Sequence, residues 1–411
     1  MSDPTCRLCS APLRHTFANL GMSPLSNSFL REEQLNHMEP YFPLHARVCD
    51  ECFLVQLEEY EKPENIFSDY AYFSSYSRSW LDHGCRYAKQ AIERFHLNEQ
   101  SFVVEVASND GYLLQYFAQK NIPVLGVEPA ENVATAAREK GIQTVTRFFG
   151  EKTASDLCAD GRRADLIIAN NVLAHVPDLN GFVRGLRLLL KASGVVTIEV
   201  PHLLRLIEFC QFDTIYHEHF SYFSLCTAKK LFQNHGLRIF DVEELPTHGG
   251  SLRLYICHAD NRSLRPLDSV SALERTELRA GMQEIAKYTT FERQVRQLKR
   301  SLLQFLVTAK AEGKTLVGYG APAKGNTLLN YCGIGPEFLD YTVDMNPHKQ
   351  NRFTPGTHIP IHTPDRIRET RPDYVVILPW NLKDEIISQL SFIRDWGGRF
   401  VVPIPNVKVL A

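Results

Sequence analysis

Phe102-Val-Val-Glu105-Val-Ala107-Ser108-Asn109-Asp110-Gly111 is the stretch on which the fold turns: a strand running into a tight loop that opens a helix. Val124-Leu-Gly126-Val-Glu128-Pro129 follows as a second strand that ends in an acid. Outward from this pair, Asp165–Ala169, Val195–Val200, Arg238–Val242 and Ser251–Cys257 read as further strands. Helical patterns alternate with them, so residues 85–258 read as a wound α/β sheet. Residues 263–312, rich in Glu, Arg, Leu and Lys, read as helix. Strand patterns resume at Thr315–Tyr319, Leu339–Val343, Asp373–Leu378 and Arg399–Val402, a second and smaller α/β unit. Residues 1–60 carry paired cysteines and little hydrophobic periodicity. The division expected is 1–68, 69–262 and 263–411.

A chain of 411 residues exceeds one compact core, since domains run to ~100–200 residues. Hydrophobic residues make up 44%, charged residues 22%, and the net charge is −2. That balance argues against a protein that coats nucleic acid or binds membranes through a polybasic surface. No apolar run reaches the ~20 residues of a membrane span, and MSDPTCRLCS lacks a signal pattern. The expectation is a cytoplasmic enzyme with a small-molecule partner and no required oligomer. Ten cysteines in a reducing compartment point to metal or burial rather than disulfides.

Cys6-Arg-Leu-Cys9 and Cys49-Asp-Glu-Cys52 supply the metal. Two such knuckles place four thiolates around one Zn²⁺ at ~2.3 Å and leave no open position, so the ion is structural. His15 and His45 are alternative ligands; the remaining six cysteines read as ordinary thiols.

In wound sheets, ligands bind beyond the carboxyl ends of the strands, and a second-strand acid such as Glu128 commonly holds ribose hydroxyls. A dinucleotide site requires G-x-G-x-x-G, of which only Gly111 is present, and Asp110 repels phosphate. The acidic loop suits a cofactor with positive charge, S-adenosylmethionine (SAM). NAD(P) and a merely solvated strand-end acid are the alternatives. Cofactor contacts are expected from Glu105, Ala107, Asn109, Asp110, Gly111, Glu128, Pro129, Asn170 and Asn171.

His175 follows the third strand beside a proline turn, where a side chain can be aimed into the cleft, although a lone histidine is by default structural. Tyr216-His217-Glu218-His219 crowds two histidines, an acid and a tyrosine into four positions. It offers a general base, a group to orient it and an oxyanion donor. A His-x-His metal site and a polar surface loop are the alternatives. His248-Gly249-Gly250 adds a histidine on a turn that lets backbone approach a ligand. Tyr70, Tyr72, Ser74, Ser75, Tyr76 and Ser77 can close over a polar substrate or form a linker. In the second unit, Gly318-Tyr-Gly320-Ala-Pro-Ala-Lys324-Gly325-Asn326 can cradle phosphate, though it is not a P-loop. Asp344, Lys349 and His358 lie beyond later strand ends. An anionic, nucleotide-like ligand is expected there, a bare scaffold being the alternative. Tyr76, His248, Gly249, Lys324, Asn326, Asp344, Lys349 and His358 form the expected substrate set.

The ordered motifs are a pair of Cys-x-x-Cys knuckles, N-D-G, E-P, H-x-P, Y-x-E-H-F, H-G-G, G-Y-G-A-x-A-K-x-N and P-G-T-x-I-P. Together they resemble the bacterial C-methyltransferases that act on nucleotide-linked deoxy-keto-sugars, along essentially the whole chain. The resemblance implies a zinc-binding domain, a class I SAM methyltransferase domain and a Rossmann-like domain that helps hold the sugar nucleotide. It implicates Tyr216, Glu218, His219, His175 and, through Y-x-Y-x-S-S, Tyr72. Ala107-Ser108 departs from the family's glycine–cysteine or similar pair but remains small. The implied chemistry is removal of the C3 hydrogen beside a 4-keto group by His219 assisted by Glu218. Tyr216, His175 or Tyr72 stabilises the enolate, whose carbon attacks the SAM methyl. Rival readings are an O- or N-methyltransferase, a non-catalytic zinc-anchored nucleotide-sugar binder and a nicotinamide oxidoreductase.

Overall fold

The computed structural model describes residues 4–62 and 73–410. Strands β1 (His15–Ser23), β2 (Phe42–Val48) and β3 (Val55–Gln56) form an antiparallel sheet joined at its far edge by Ser221–Tyr222. Here the sequence expectation needs correction: the unit does have periodicity. In β2, Leu44, Ala46 and Val48 are buried and alternate with half-buried Pro43, His45 and Arg47. In β1 two register shifts break the alternation, which hides the strand from a period-2 reading.

The middle sheet holds β4 (Val103–Val106), β5 (Val124–Val127), β6 (Thr144–Val145), β7 (Ala164–Ile168) and β8 (Leu190–Pro201). Ser221–Tyr222, the edge of the first sheet, is β9; β10 (Leu237–Leu245) and β11 (Ser251–His258) complete the second. Its order is β10-β11-β8-β7-β4-β5-β6, parallel except for the β10–β11–β8 pairings. All four residues of β4 are buried, as an inner parallel strand covered on both faces must be. The order reverses between β4 and β7, so the carboxyl ends of those strands open the crevice where such sheets take ligands.

The third sheet contains β12 (Leu316–Tyr319), β13 (Thr342–Val343), β14 (Arg352–Phe353), β15 (Pro360–His362), β16 (Tyr374–Ile377), β17 (Arg399–Val402) and β18 (Lys408–Leu410). Its order is β14-β15-β13-β12-β16-β17-β18, with parallel inner pairings. Between the sheets, the expected continuous helix is three: Asp268–Arg279, Ile285–Thr289 and Phe291–Ala311. The first break falls at Gly281, whose φ of +77° no helix accommodates. The last helix carries the zinc unit. Phe291 stacks on Phe17 of β1 at 4.5 Å, and both are fully buried, so truncating either to alanine should cost about 3–5 kcal/mol. Among the described residues no helix is long and apolar enough to cross a membrane.

Candidate active site

The four predicted ligands of the metal converge. Cys6 and Cys52 sulfurs lie 3.5 Å apart, as do those of Cys9 and Cys49, and all four lie within 4.8 Å of one another. A tetrahedron with Zn–S of ~2.3 Å has edges of about 3.8 Å, so the thiolates fit a closed Zn²⁺ site. Gln56 Nε2 donates to Cys6 Sγ at 3.2 Å, a supporting contact that orients a ligand. His15 instead pairs with Asp50 and His45 with Thr16 Oγ1, so neither histidine is a ligand.

At the β4 edge the chain bends through left-handed Ala107, Asn109 and Gly111, at φ of 55°, 51° and 75°. Two non-glycine residues in that region mark a constrained loop of the kind found at binding sites. Glu128 braces it: its carboxylate accepts from the Asn109 and Ala130 backbone N–H groups, both at 2.9 Å. Asp110 accepts from Lys140 Nζ at 2.9 Å, which offsets part of the negative charge the sequence places in this loop. Glu105 Oε2, Asp110 Oδ1, Asn170 Oδ1 and Asn171 Nδ2 are buried with no hydrogen-bond partner among the described residues. Burial, and then Glu128 and Asp110, hold the Glu105 carboxyl well above the usual carboxylate range. Three unfilled acceptors and one unfilled donor at the ends of adjacent strands are a standing cost unless a ligand supplies their partners. The ammonium and ribose hydroxyls of SAM are such partners, and the residues present fit it. Ser74 N donates to Asn109 Oδ1 at 2.9 Å and Lys140 Nζ to Ser75 at 2.8 Å, which docks the tyrosine–serine segment on this loop. Tyr76 is exposed there; Tyr70 and Tyr72 lie outside the described residues.

The Tyr216–His219 loop faces this edge from beyond β8. His219 Nδ1 donates to the Thr214 carbonyl at 2.9 Å, and its ring lies 4.0 Å from Tyr216 and 4.7 Å from His175. His175 Nδ1 donates to the Glu218 carbonyl at 2.8 Å. A carbonyl only accepts, so each neutral ring carries its proton on Nδ1 and keeps the Nε2 lone pair. Burial, His175, His248 and Lys324 hold His219 well below the usual imidazole range, so it is a neutral base at pH 7. Burial likewise brings His175 down to about 4. The Glu218 carboxylate does not meet His219 through a hydrogen bond. Its Oε1 accepts from Asn27 Nδ2 of the zinc unit at 2.6 Å, and burial pushes the group up to about 7. His217 turns away and contacts the Pro43 carbonyl, so the two histidines of His-x-His do not share a ligand.

From the C-terminal unit, Lys324 reaches the same cleft: its Nζ lies 4.7 Å over the Trp380 ring and donates to Asn381 at 2.7 Å. His248 stands edge-on to Trp80 at 5.3 Å. Asp344 accepts from Ala321 N at 2.7 Å and Asn346 N at 2.8 Å, and Lys349 Nζ donates to the Ala321 carbonyl at 2.9 Å. Two predicted substrate residues are engaged elsewhere. Asn326, 1% exposed, donates to the Ser26 carbonyl at 2.6 Å, and His358 meets Glu39 at 3.1 Å. Both contacts dock the C-terminal unit on the zinc unit. Sequence reasoning missed Asn27 and Asp213, whose partners are far off along the chain.

Family profiles match the chain in three segments: a zinc binding domain over residues 6–67, a methyltransferase domain over 77–242 and a C-methyltransferase C-terminal domain over 246–405. C-methyltransferase NovU of Streptomyces niveus is 34% identical over 407 residues, spanning 99% of this chain and 96% of its own. Solved structures that match include magnesium protoporphyrin IX methyltransferase of Synechocystis PCC 6803 with bound SAH, at 15% identity and TM-score 0.34. It covers 43% of this chain and 82% of that one. The CcbJ methyltransferase of Streptomyces caelestis matches at 14% identity and TM-score 0.33, over 43% and 89%.

Proposed function

The chain belongs to the C-methyltransferase family, and we propose that it methylates a ring carbon, C3, of a nucleotide-linked 4-keto-deoxysugar. The SAM-dependent C-methyl transfer of the family sets aside the O-methyl, N-methyl, non-catalytic and nicotinamide readings. In this reading the division of labour is zinc unit 1–68, methyltransferase unit 69–262 and sugar-nucleotide unit 263–411.

A sugar carbon becomes nucleophilic only after it loses a proton, and a neighbouring keto group makes that loss accessible. His219 Nε2 takes the C3 hydrogen as a proton, and the electron pair of the broken C–H bond spreads onto the keto oxygen. Tyr216, whose ring flanks His219, donates to that oxygen. His175 belongs to the expected set, but its one proton is held on Nδ1 by the Glu218 carbonyl, so its part is to pack against and orient the His219 ring. Tyr72 belongs to the same expected set. Glu218 supplies negative charge against the imidazolium that forms. When bound, SAM would supply the electrophilic methyl, its sulfur keeping the S–C bond pair and departing as the thioether S-adenosylhomocysteine. Lys324 and Lys349 receive the nucleotide's phosphates, and His248 and Gly249, whose turn packs on the Trp380 ring that carries Lys324, line the same pocket.

The supporting observation is the His219 tautomer, a neutral imidazole with its lone pair on Nε2, packed between Tyr216 and His175 and within reach of the Lys324 charge. His219→Gln should lower turnover by ~10²–10⁴-fold, the usual worth of a general base, and leave SAM affinity intact in calorimetry. It should also abolish deuterium wash-in from heavy water to the substrate in the presence of a non-transferring SAM analogue. Wash-in at the native rate would remove His219 as the base.

A further inference from the structure

The 3-10 turn Phe212–Thr214 precedes the Tyr216–His219 loop, and its Thr214 carbonyl is the acceptor that fixes His219. Asp213, in the same turn, is 1% exposed; its Oδ2 accepts from Trp380 Nε1 at 2.7 Å, while Oδ1 is buried without a partner. A carboxylate this buried is held by donors, and the one from outside its own turn is the Trp380 N–H. Trp380 opens the turn after β16 in the C-terminal unit. One indole therefore serves two groups: its N–H holds Asp213, and its face carries Lys324. A third loop closes on the same ring. Gly249, at φ +89°, lies so near that a Cβ would stand 2.6 Å from the indole. Gln211, at the start of the His219 loop, donates to the Gly249 carbonyl at 2.8 Å.

We propose that Trp380 and Asp213 are positioning residues that set the Thr214 carbonyl, and through it His219, so that the base is aligned by the unit that holds the sugar nucleotide. Misplacement of a reacting group by ~1 Å can cost about 10²-fold in rate, so the link need not touch substrate to matter. The inference rests on His219 as the base.

Trp380→Phe keeps a ring against Lys324 and Gly249 and removes the N–H. The readout is deuterium uptake from heavy water, with a non-transferring SAM analogue present, into whichever of a panel of dTDP- and GDP-linked 4-keto-6-deoxysugars the native enzyme exchanges. The maximal rate should fall about 10–100-fold with half-saturation near native, and the thermal midpoint should also drop, because a buried carboxylate loses a donor. Asp213→Asn, whose amide oxygen still accepts the N–H, should keep most of the rate. Asp213→Leu should match Trp380→Phe, and the two together should cost no more than one. Native-rate uptake in Trp380→Phe, additive losses, or an Asp213→Asn variant as slow as Asp213→Leu would each overturn the proposal. So would a lowered thermal midpoint with the maximal rate intact, the signature of a mere strut. His219→Gln run in parallel separates the two failures. If it still exchanges, the base assignment falls; if it is inert while Trp380→Phe is native, only the link falls.

Discussion

The two parallel sheets end their second strands in the same way, yet their ligand edges carry opposite charge. Glu128 accepts from the backbone of its own first loop, at Asn109, and from Ala130 just beyond itself. Asp344 does the same, at Ala321 and Asn346. The strand-end acid is thus a brace for the neighbouring loop in both units. What separates the edges is the company the brace keeps. Glu128 and Asp110 both act on the buried Glu105; Asp344 has Lys349 beside it at 3.8 Å, and Lys324 stands at the start of the helix that follows the Ala321 loop. The first arrangement asks for donors and positive charge, the second for an anion. An acid at that position therefore signals architecture first and ligand only through its neighbours.

The largest effect that would break this contrast comes from the acidic edge. Glu128→Gln removes a charge and turns one acceptor into a donor against a backbone N–H. With charge-assisted hydrogen bonds worth ~1.5–3 kcal/mol, SAM affinity should fall about 10–100-fold in calorimetry while dTDP binding stays as it was. Equal losses for both ligands would mean that the two edges are not separate sites. The complementary change is Lys324→Met, which keeps an unbranched apolar stem over Trp380. It should weaken dTDP about tenfold and leave SAM unaffected, since one partly screened phosphate contact is worth about 1–1.5 kcal/mol. A dTDP affinity unmoved by this change would leave the second edge without its anion.

Much of this contrast is legible in the sequence, because it depends on strands followed directly by their loops. The residues expected to line the β4 edge lie within a few positions of a strand end, whereas its contacts with Ser74, Ser75 and Lys140 span 30 or more positions and leave no local pattern. The zinc site is legible for the same reason, being two local knuckles. The rest is written in long-range pairs that leave no local pattern. Glu218 meets Asn27 across 191 positions, and Asp213 meets Trp380 across 167. The same holds for β9, a two-residue strand that pairs with β3 and so fastens the Tyr216–His219 loop to the zinc sheet just after His219. The bulged β1 and the break at Gly281 are local departures from a period, where one residue undoes the pattern around it.

The smallest expected effect tests whether the zinc unit reaches the chemistry. Burial pushes Glu218 up to about 7, and Asn27 and Lys349 pull against that shift. A donor to a carboxylate favours the ionised form, so Asn27→Leu should raise the Glu218 pKa further. Asn27 is exposed, so water replaces part of the lost bond, and the shift should be only about half a pH unit. His219 is already neutral at pH 7, so the acid limb of kcat belongs to Glu218 if its charge is required. That limb should move upward in Asn27→Leu, with the plateau rate above about pH 9 unchanged. The sign for stability is separate. A carboxyl whose folded pKa lies above its unfolded ~4.3 binds more protons when folded, so stability falls as pH rises from about 4 to 7. Asn27→Leu extends that fall to higher pH, a small loss readable as a lower urea midpoint near pH 8. An acid limb that stays in place would leave Asn27 a surface contact. A limb well below pH 6 in the native enzyme would assign it to a histidine, and the two edges would then meet at His219 without help from the zinc unit.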